Sequence, residues 1–283
     1  MRICLEVWGS DPVALVELAR HAEANELDGI YLGESPTPLN AETWTTLGAI
    51  ASQTETIRLG PVIANLLAGY RSPILLARQG AALAAMSKGR FDFRTGVGAA
   101  RTAGEPWWES AGVPYPAYAD RLDEADRQLT VLRRLWTGDE TDGGYSLGVA
   151  HPPIEITVAA TSPRAMAIAE RFGDRWETSF ATPEEWTERA RHAPPALASS
   201  LEIDGFVGAE DDADLVWRQV ERDRAGEDLD AVRRRALVGS PSHVAEQIDR
   251  LFQAGVEQLV VALHDPHDLD TVARLGEAGR LRR

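Results

Sequence analysis

Short apolar runs alternate with longer amphipathic segments from one end of the chain to the other. Eight of these runs predict β-strands, at residues 3–8, 29–34, 57–64, 91–98, 154–160, 175–180, 197–207 and 258–263. Several of them, such as residues 259–263, are apolar at every position. Continuously apolar strands are typical of a parallel sheet that is covered on both faces.

The amphipathic segments between these runs predict helices. In one of them, apolar residues recur every three or four positions along one face, at Tyr118, Leu122, Ala125, Leu129, Leu132 and Trp136. Five helix starts are predicted where a capping side chain precedes a proline, at Asp11-Pro12, Ser72-Pro73, Ser162-Pro163, Thr182-Pro183 and Ser240-Pro241. The cap accepts a bond from a free backbone N–H, and proline has no N–H to leave unpaired. Glu185, three residues after Thr182, adds a predicted capping box.

A strand followed by a helix, repeated eight times, predicts an α/β fold, the (β/α)8 TIM barrel. An open doubly wound sheet is the alternative, although it usually needs fewer strands. The 283 residues would suit two domains of about 150 residues, but one barrel routinely fills about 250. No Ser/Gly-rich linker divides the chain, so we expect residues 1–283 to form a single domain.

Composition and charge exclude several classes of function. The chain has 29 Lys and Arg residues against 44 Asp and Glu residues, a net charge of −15. This surface repels phosphate backbones, so we expect no nucleic-acid partner. Cys4 is the only cysteine, which excludes an internal disulfide and a multi-thiolate metal site. No apolar run reaches the roughly 18 residues of a membrane span, and charge and proline interrupt any signal-peptide core, so a cytoplasmic location is expected.

Barrel chemistry is found at the C-terminal ends of the strands, and this rule selects candidate residues. Glu34 ends the second strand, where a buried carboxylate with a raised pKa would handle protons; a structural, salt-bridged acid is the alternative. After the fifth strand, Ser162 caps a helix and Arg164 follows it. Free N–H groups and the positive end of the helix dipole make this turn a candidate phosphate or carboxylate site, although a cap that binds nothing is equally compatible.

Other motifs are weaker. The run Gly96-Val97-Gly98 resembles the start of a dinucleotide fingerprint, but Arg101 replaces the third glycine. We interpret it as close backbone approach to a ligand, with a simple turn as the alternative. In the loop after the fourth strand, Trp107 and Trp108 are expected to wall a pocket for a flat ring or to form a small local core. The histidines have no metal-ligand spacing, His264 and His267 included, and no metal site is predicted. No Gly-x-Ser-x-Gly elbow or Walker loop is present, which argues against hydrolase and kinase chemistry.

An ordered set of short motifs resembles the bacterial luciferase-like flavin and deazaflavin oxidoreductases. The central block comprises Thr54-Glu55-Thr56-Ile57-Arg58-Leu59-Gly60-Pro61, Arg71-Ser72-Pro73, Met86-Ser87-Lys88-Gly89-Arg90 and Gly96-Val97-Gly98. Leu135-Trp136-Thr137-Gly138, Val238-Gly239-Ser240-Pro241-Ser242-His243-Val244 and Ala254-Gly255-Val256 follow in the expected order. Each motif alone is weak, but the ordered set covers most of the chain and agrees with the barrel.

The resemblance implies a cofactor, either the deazaflavin coenzyme F420 or FMN, whose ring lies against a bulge in the third strand. That bulge often holds a non-proline cis peptide, expected here at Val62–Ile63. The resemblance implies cofactor contacts from Ser35, from Pro61, Val62, Ile63, Ala64 and Asn65, from Gly96, Gly98 and Arg101, and from Ala160, Thr161, Ser162, Pro163 and Arg164. Trp8, Trp107 and Trp108 are expected in the substrate pocket, and Glu34 is the expected catalytic acid.

One departure from the family pattern limits the mechanism. Many relatives have an acid followed by histidine at the end of the second strand, whereas here Glu34 is followed by Ser35, so a histidine role does not carry over. The Glu-Thr-Ile-Arg-Leu-Gly-Pro run resembles the deazaflavin-dependent reductases more closely. The resemblance thus implies an F420-dependent oxidoreductase and homodimer that passes a hydride to a small-molecule substrate of the imine or conjugated-alkene type. An FMN-dependent monooxygenase and a non-catalytic flavin-binding protein are the alternatives.

Overall fold

The computed structural model describes residues 1–38, 40–138, 146–209, 213–223, 226–263 and 265–282. Its strands are β1 (Arg2–Val7), β2 (Gly29–Gly33), β3 (Arg58–Val62), β4 (Ala64–Asn65), β5 (Asp92–Gly96), β6 (Glu155–Ala159), β7 (Arg175–Ser179), β8 (Ala198–Val207), β9 (Ala236–Gly239) and β10 (Gln258–Leu263). Its helices are α1 (Pro12–Ala24), α2 (Thr43–Gln53), α3 (Pro73–Met86), α4 (Arg101–Ser110), α5 (Tyr118–Thr137), α6 (Pro163–Phe172), α7 (Pro183–Ala190), α8 (Ala213–Asp223), α9 (Leu229–Arg234), α10 (Pro241–Gln253) and α11 (Leu269–Leu281).

The strands form the predicted parallel barrel. Their order is β3-β2-β1-β10-β8-β7-β6-β5-β4, and each neighbouring pair is parallel. A bridge between Leu59 of β3 and Phe91, just before β5, joins the two ends of the sheet. The open-sheet alternative is therefore wrong, because an open sheet leaves its two edge strands apart.

The third predicted strand is interrupted by a bulge. The peptide bond between Val62 and Ile63 is cis, at the position that the family resemblance implies. β3 ends at Val62, and after Ile63 the chain resumes as β4, which pairs with β5. This bulge redirects the backbone at the C-terminal end of the barrel.

The ninth strand was missed by the sequence analysis. β9 pairs in parallel with the second half of β8, from Asp204 opposite Ala236 to Val207 opposite Gly239. Four residues are too few to show a periodic pattern, and β9 runs directly into the predicted helix start at Ser240. β8 is ten residues long, so its second half extends the sheet beyond the barrel pairing.

Helix starts follow the predicted caps closely. All five cap–proline pairs begin helices, and at four of them the capping side chain accepts a backbone N–H bond. Ser72 precedes α3 without such a bond. The predicted capping box is present, since Thr182 and Glu185 bond each other's backbone N–H groups. Local chemistry therefore sets where the outer helices begin.

The apolar core and the charged interior are separate. A continuous apolar cluster fills the space between strands and helices, whereas Glu6, Asp92, Arg94, Glu177 and Asp204 are buried charges of the strands. No helix among the described residues is long and apolar enough to cross a membrane. Of the five buried charges, Glu6 and Glu177 line the cavity at the C-terminal ends of the strands, whereas Asp92 begins β5.

Candidate active site

A cavity of about 440 Å³ opens at the C-terminal ends of the strands. The structure brings these predicted site residues together around it: Trp8, Glu34, Ser35, Val62, Ile63, Asn65, Gly98, Trp107, Trp108, Ala160 and Thr161. Pro61, Ala64 and Gly96 lie nearby in the strands but do not line it. The bulge itself, through Val62 and Ile63, forms one wall of the cavity, as the resemblance implies for the ring site.

Glu34 holds the bulge in place. Its Oε2 atom accepts the backbone N–H of Asn65 at 2.8 Å, and its Oε1 atom accepts Trp44 Nε1–H at 2.7 Å. Arg71 Nη1 lies 2.7 Å from Oε1 and forms an ion pair. The amide of Asn65 donates in turn to the carbonyl oxygens of Glu34 and Ile63, both at 3.0 Å.

These contacts bear on the two roles left open for Glu34. The residue is 3% exposed, and both carboxylate oxygens are occupied by donors from the protein. The contacts favour the structural, salt-bridged alternative that the sequence left open, and the catalytic role of Glu34 stays a prediction.

Glu6, at the end of β1, is the acid that the sequence analysis did not select. Its Oε1 atom accepts Trp8 Nε1–H at 2.6 Å, and its buried Oε2 atom has no partner among the described residues. Burial raises the pKa of Glu6 to about 7, and Glu177 and Asp204 add to the rise, against Trp8 and Arg94. A carboxyl group with a pKa near neutrality, lining a cavity, is suited to proton exchange.

Two further acids line the same cavity. Arg94, fully buried on β5, donates from Nη2 to both oxygens of Glu177 at 2.6 Å. Glu202 accepts Ser179 Oγ–H at 3.1 Å, and burial, followed by the charge of Glu6, raises its pKa well above the ordinary value. Glu177 and Glu202 lie in strands that were predicted from their apolar residues. The sequence around a single acid in such a strand does not show which residues contact it.

A second cavity of about 890 Å³ adjoins the first, and Ala160, Thr161, Thr178 and Ser179 line both. Ser162 and Pro163 at the start of α6 line the second cavity, together with Arg189 and His192. Ser162 Oγ accepts the N–H of Ala165 at 3.2 Å and lies 3.0 Å from the hydroxyl of Tyr118. The predicted anion-binding turn thus borders a cavity.

Arg164 does not contribute to that turn. Its guanidinium forms an ion pair with Asp123 and donates to the carbonyl of Ala119, both on α5. The side chain therefore lies along the surface of α5 and lines neither cavity, and its expected cofactor contact stays a prediction. The side chain of Arg101 and the whole of His264 lie outside the described residues.

The glycine and tryptophan motifs contribute to local packing and to the wall of the cavity. Gly98 has φ +75°, and a Cβ there would lie 2.5 Å from the Tyr115 hydroxyl, so this turn makes room for a tyrosine. Trp107 and Trp108 lie on α4, not in the expected loop. Trp108 is buried against Leu67 and Tyr115, whereas Trp107 is 45% exposed at the cavity. Trp108 therefore belongs to a small local core and also lines the cavity, and Trp107 lines the cavity.

The family model for luciferase-like monooxygenases matches residues 6–200. The chain belongs to this family. The match confirms the resemblance and includes Glu6, Glu34, the bulge, α6 and Glu177, although Glu202 falls just beyond its end.

Curated relatives of this family member include F420-dependent enzymes. An F420-dependent glucose-6-phosphate dehydrogenase of Gordonia bronchialis is 26% identical over 179 residues, which is 58% of this chain and 52% of the relative. A phthiodiolone/phenolphthiodiolone dimycocerosates ketoreductase of a Mycobacterium species is 30% identical over 167 residues, 52% of this chain and 40% of the relative. The chain thus matches about half the length of these relatives.

Solved structures support the fold of this luciferase-like chain. An F420-dependent secondary alcohol dehydrogenase in complex with an F420-acetone adduct has a TM-score of 0.78 at 18% identity, covering 100% of this chain and 99% of that one. A type II Baeyer-Villiger monooxygenase from Pseudomonas putida, the oxygenating constituent of 3,6-diketocamphane monooxygenase in complex with FMN, has a TM-score of 0.74 at 18% identity, covering 98% and 97%.

Gly33 offers a direct test of the cavity wall in this luciferase-like barrel. A Cβ at Gly33 would lie 2.4 Å from the ring of Trp8, so the ring must move. We expect Gly33→Ala to break the Trp8–Glu6 hydrogen bond and shift the tryptophan emission, with a loss of stability of only about 1 kcal/mol, because Trp8 is partly exposed and free to move. Gly48→Ala, where a Cβ meets nothing within 4 Å, is the control and should leave the emission unchanged. Identical emission spectra for both variants would contradict the packing of Trp8 on Gly33.

Proposed function

We propose that the chain is an F420-dependent oxidoreductase that transfers a hydride between the deazaflavin C5 and a small organic substrate. The observation that carries this proposal is the cleft formed by the two adjoining cavities, one with aromatic walls and one bordered by the start of α6. A long cofactor with a flat ring at one end and a phosphate further along needs a cleft of this composition. The names of the F420-dependent glucose-6-phosphate dehydrogenases among the relatives support the same choice.

The residues present fit such a cofactor at both ends. Val62 and Ile63 offer an apolar bulge against which a ring would stack, and Ser35 and Gly98 border the same cavity. Thr161 and Ser162 precede α6, whose free N–H groups and dipole would hold a phosphate without the help of Arg164. Arg189 donates to Thr178 and to the carbonyl of Ser179, and so places a positive charge beside the same cavity.

The cofactor, when bound, supplies the hydride donor or acceptor, and the protein must manage the proton. We assign the proton to Glu6, because its carboxyl lines the cavity and has one unpartnered oxygen. Trp8 fixes the other oxygen and so orients the group. Glu34 keeps the bulge in position for the ring and takes no part in proton transfer in this proposal.

Titration with the two cofactors tests the proposal. Trp8, Trp107 and Trp108 line the cavity, so a bound ring should quench tryptophan fluorescence. We expect F420 to quench at micromolar concentration and FMN to bind much more weakly. Tight FMN binding without F420 binding would favour an FMN-dependent monooxygenase, for which the FMN-bound structural neighbour is the specific support. F420 binding without turnover of imines or conjugated alkenes would favour a non-catalytic flavin-binding protein.

We also propose that residues 1–283 form a single domain and that the chain acts as a homodimer in the cytoplasm. The family resemblance supports the homodimer, the strand count and the missing Ser/Gly-rich linker support the single domain, and the single cysteine supports the location.

A further inference from the structure

The ionisable side chains that line the first cavity are mainly acidic. Four carboxylates line it, those of Glu6, Glu34, Glu177 and Glu202. Among the lining residues that the structure describes there is no Lys, Arg or His. A cavity with this lining repels anions and attracts cations, and its low-dielectric walls strengthen both effects.

Two of these carboxylates form ion pairs with arginine side chains that do not line the cavity. Arg71 forms an ion pair with Glu34, and Arg94 forms a two-oxygen contact with Glu177. Among the described residues, Glu6 and Glu202 have no such partner, since Glu6 accepts only the Trp8 N–H and Glu202 accepts only the Ser179 hydroxyl. When Glu6 and Glu202 ionise, their negative charge in the cavity is therefore not balanced by an ion-pair partner.

The surroundings of this pair do not neutralise it. The charged groups that act on Glu6 are Arg94 on β5, Glu177 on β7, and Glu202 and Asp204 on β8. On β10, between β1 and β8, the paired residues Val260 and Ala262 are apolar. One buried arginine therefore faces several acids, and a bound cation would supply the missing charge.

We propose that this cavity selects a substrate that carries a positively charged nitrogen, with Glu6 and Glu202 as the groups that recognise the charge. The inference rests on the proposed function, because it assigns the substrate class of the same site. It narrows the imine and conjugated-alkene alternatives to nitrogen bases: imines, their iminium ions and the corresponding amines. Phosphorylated and carboxylated substrates are excluded from this cavity by the same charge.

The aromatic walls suit such a substrate. Trp8, Trp107 and Tyr118 are each partly exposed and line the cavity. An organic cation gains from the face of an indole or phenol ring as well as from a carboxylate. The indole N–H of Trp8 points at Glu6, so an aromatic ring and an acid already lie side by side.

A substrate that arrives uncharged is also accommodated. An imine nitrogen accepts the proton of the Glu6 carboxyl, so that an N–H bond forms as the O–H bond breaks. The resulting carboxylate then faces the iminium ion that it has created. After product release, Glu6 takes up a proton from the solvent and returns to its starting state.

Binding of inert probes tests the inference without turnover. We would titrate F420-loaded protein calorimetrically with benzyltrimethylammonium, with neutral benzyl tert-butyl ether and with phenylacetate. We expect the cation to bind at least about tenfold more tightly than the ether at pH 8, and phenylacetate to bind most weakly. Equal affinities for the cation and the ether would overturn the inference while leaving cofactor binding, and hence the proposed function, intact. Failure to bind F420 would instead overturn the proposed function and, with it, this substrate assignment.

Variants and pH identify the residues responsible. Glu6→Gln and Glu202→Gln should each weaken the cation about tenfold and leave the ether within twofold, whereas Glu246→Gln on the exposed face of α10 should change neither. In the unmodified protein, cation affinity should rise about tenfold from pH 6 to pH 8 with release of protons, because the cation binds the ionised acids. Ether affinity should stay flat. A flat cation profile, or loss of both probes together in the Gln variants, would refute recognition by this pair.

Discussion

Replacing Glu34 by alanine is expected to cost about 3–5 kcal/mol of unfolding free energy, the range for a broken buried ion pair. Arg71 would lose the carboxylate 2.7 Å from its guanidinium, and its side chain is only 11% exposed. The N–H groups of Asn65 and Trp44 would also lose their acceptors. For a chain of this size, we expect Tm to fall by about 10 °C. Chemical denaturation with a tryptophan readout gives the free energy directly.

Two comparisons separate this anchoring role from proton chemistry. Glu34→Gln keeps an oxygen acceptor but loses the charge, so we expect an intermediate loss of stability and an unchanged pH profile of turnover. Glu188→Ala removes an exposed ion pair with Arg191 and should cost less than about 0.5 kcal/mol. A Glu34→Ala protein as stable as its parent would refute the anchoring role. A pH profile that shifts in Glu34→Gln would return the proton role to Glu34.

The parts of the fold that follow from neighbouring residues were predictable from the sequence. The five cap–proline pairs all begin helices, because cap and proline act within one turn of each other. The eight barrel strands follow from runs of apolar residues. The cis peptide at Val62–Ile63 came from the family resemblance, because nothing in the composition of those two residues requires it.

The electrostatics of the site depend on distant partners and were not predictable in this way. Glu34 meets Asn65 across 31 positions, and Arg94 meets Glu177 across 83. The sequence does not single out Glu6 and Glu202, because a single acid in a strand looks the same whether it is paired or left unbalanced in a cavity. Arg164 is close to Ser162 in sequence, but an acid on α5 holds its side chain. The periodicity of a strand predicts which face of the sheet a side chain occupies. Its neighbours from other strands are known only once the barrel has closed.

Arg94→Met is expected to have the other large effect, and this effect should depend on pH. Arg94 and Glu177 are both almost fully buried, and removing one partner leaves the other charge unpaired, at a cost of about 3–5 kcal/mol. Arg94 also lowers the pKa of Glu6 and of Glu202, so both acids should bind protons more tightly in the variant. Denaturation at pH 5 and pH 8 measures the effect at the two ends of the relevant range.

The sign of the pH dependence follows from the raised pKa of Glu6. Between its ordinary value of 4.5 and about 7, the folded protein binds more protons than the unfolded chain, so stability falls as pH rises through this window. In Arg94→Met the window extends to higher pH, and the deficit relative to the parent should grow from pH 5 to pH 8. An equal deficit at both pH values would show that Arg94 acts by packing alone.

A double variant separates charge from packing in the same experiment. Arg94→Met with Glu177→Gln removes both members of the buried pair, and replacing both is much less costly than leaving one charge alone. We expect the double variant to recover more than half of the stability lost at pH 8 and little at pH 5. In the double variant no cation among the described residues replaces Arg94 near Glu6 and Glu202, so the remaining deficit at pH 8 measures what Arg94 contributes to them. If stability does not recover at pH 8, the guanidinium stabilises the barrel through contacts other than Glu177. Arg94 would then not be the group that balances the charge of Glu177.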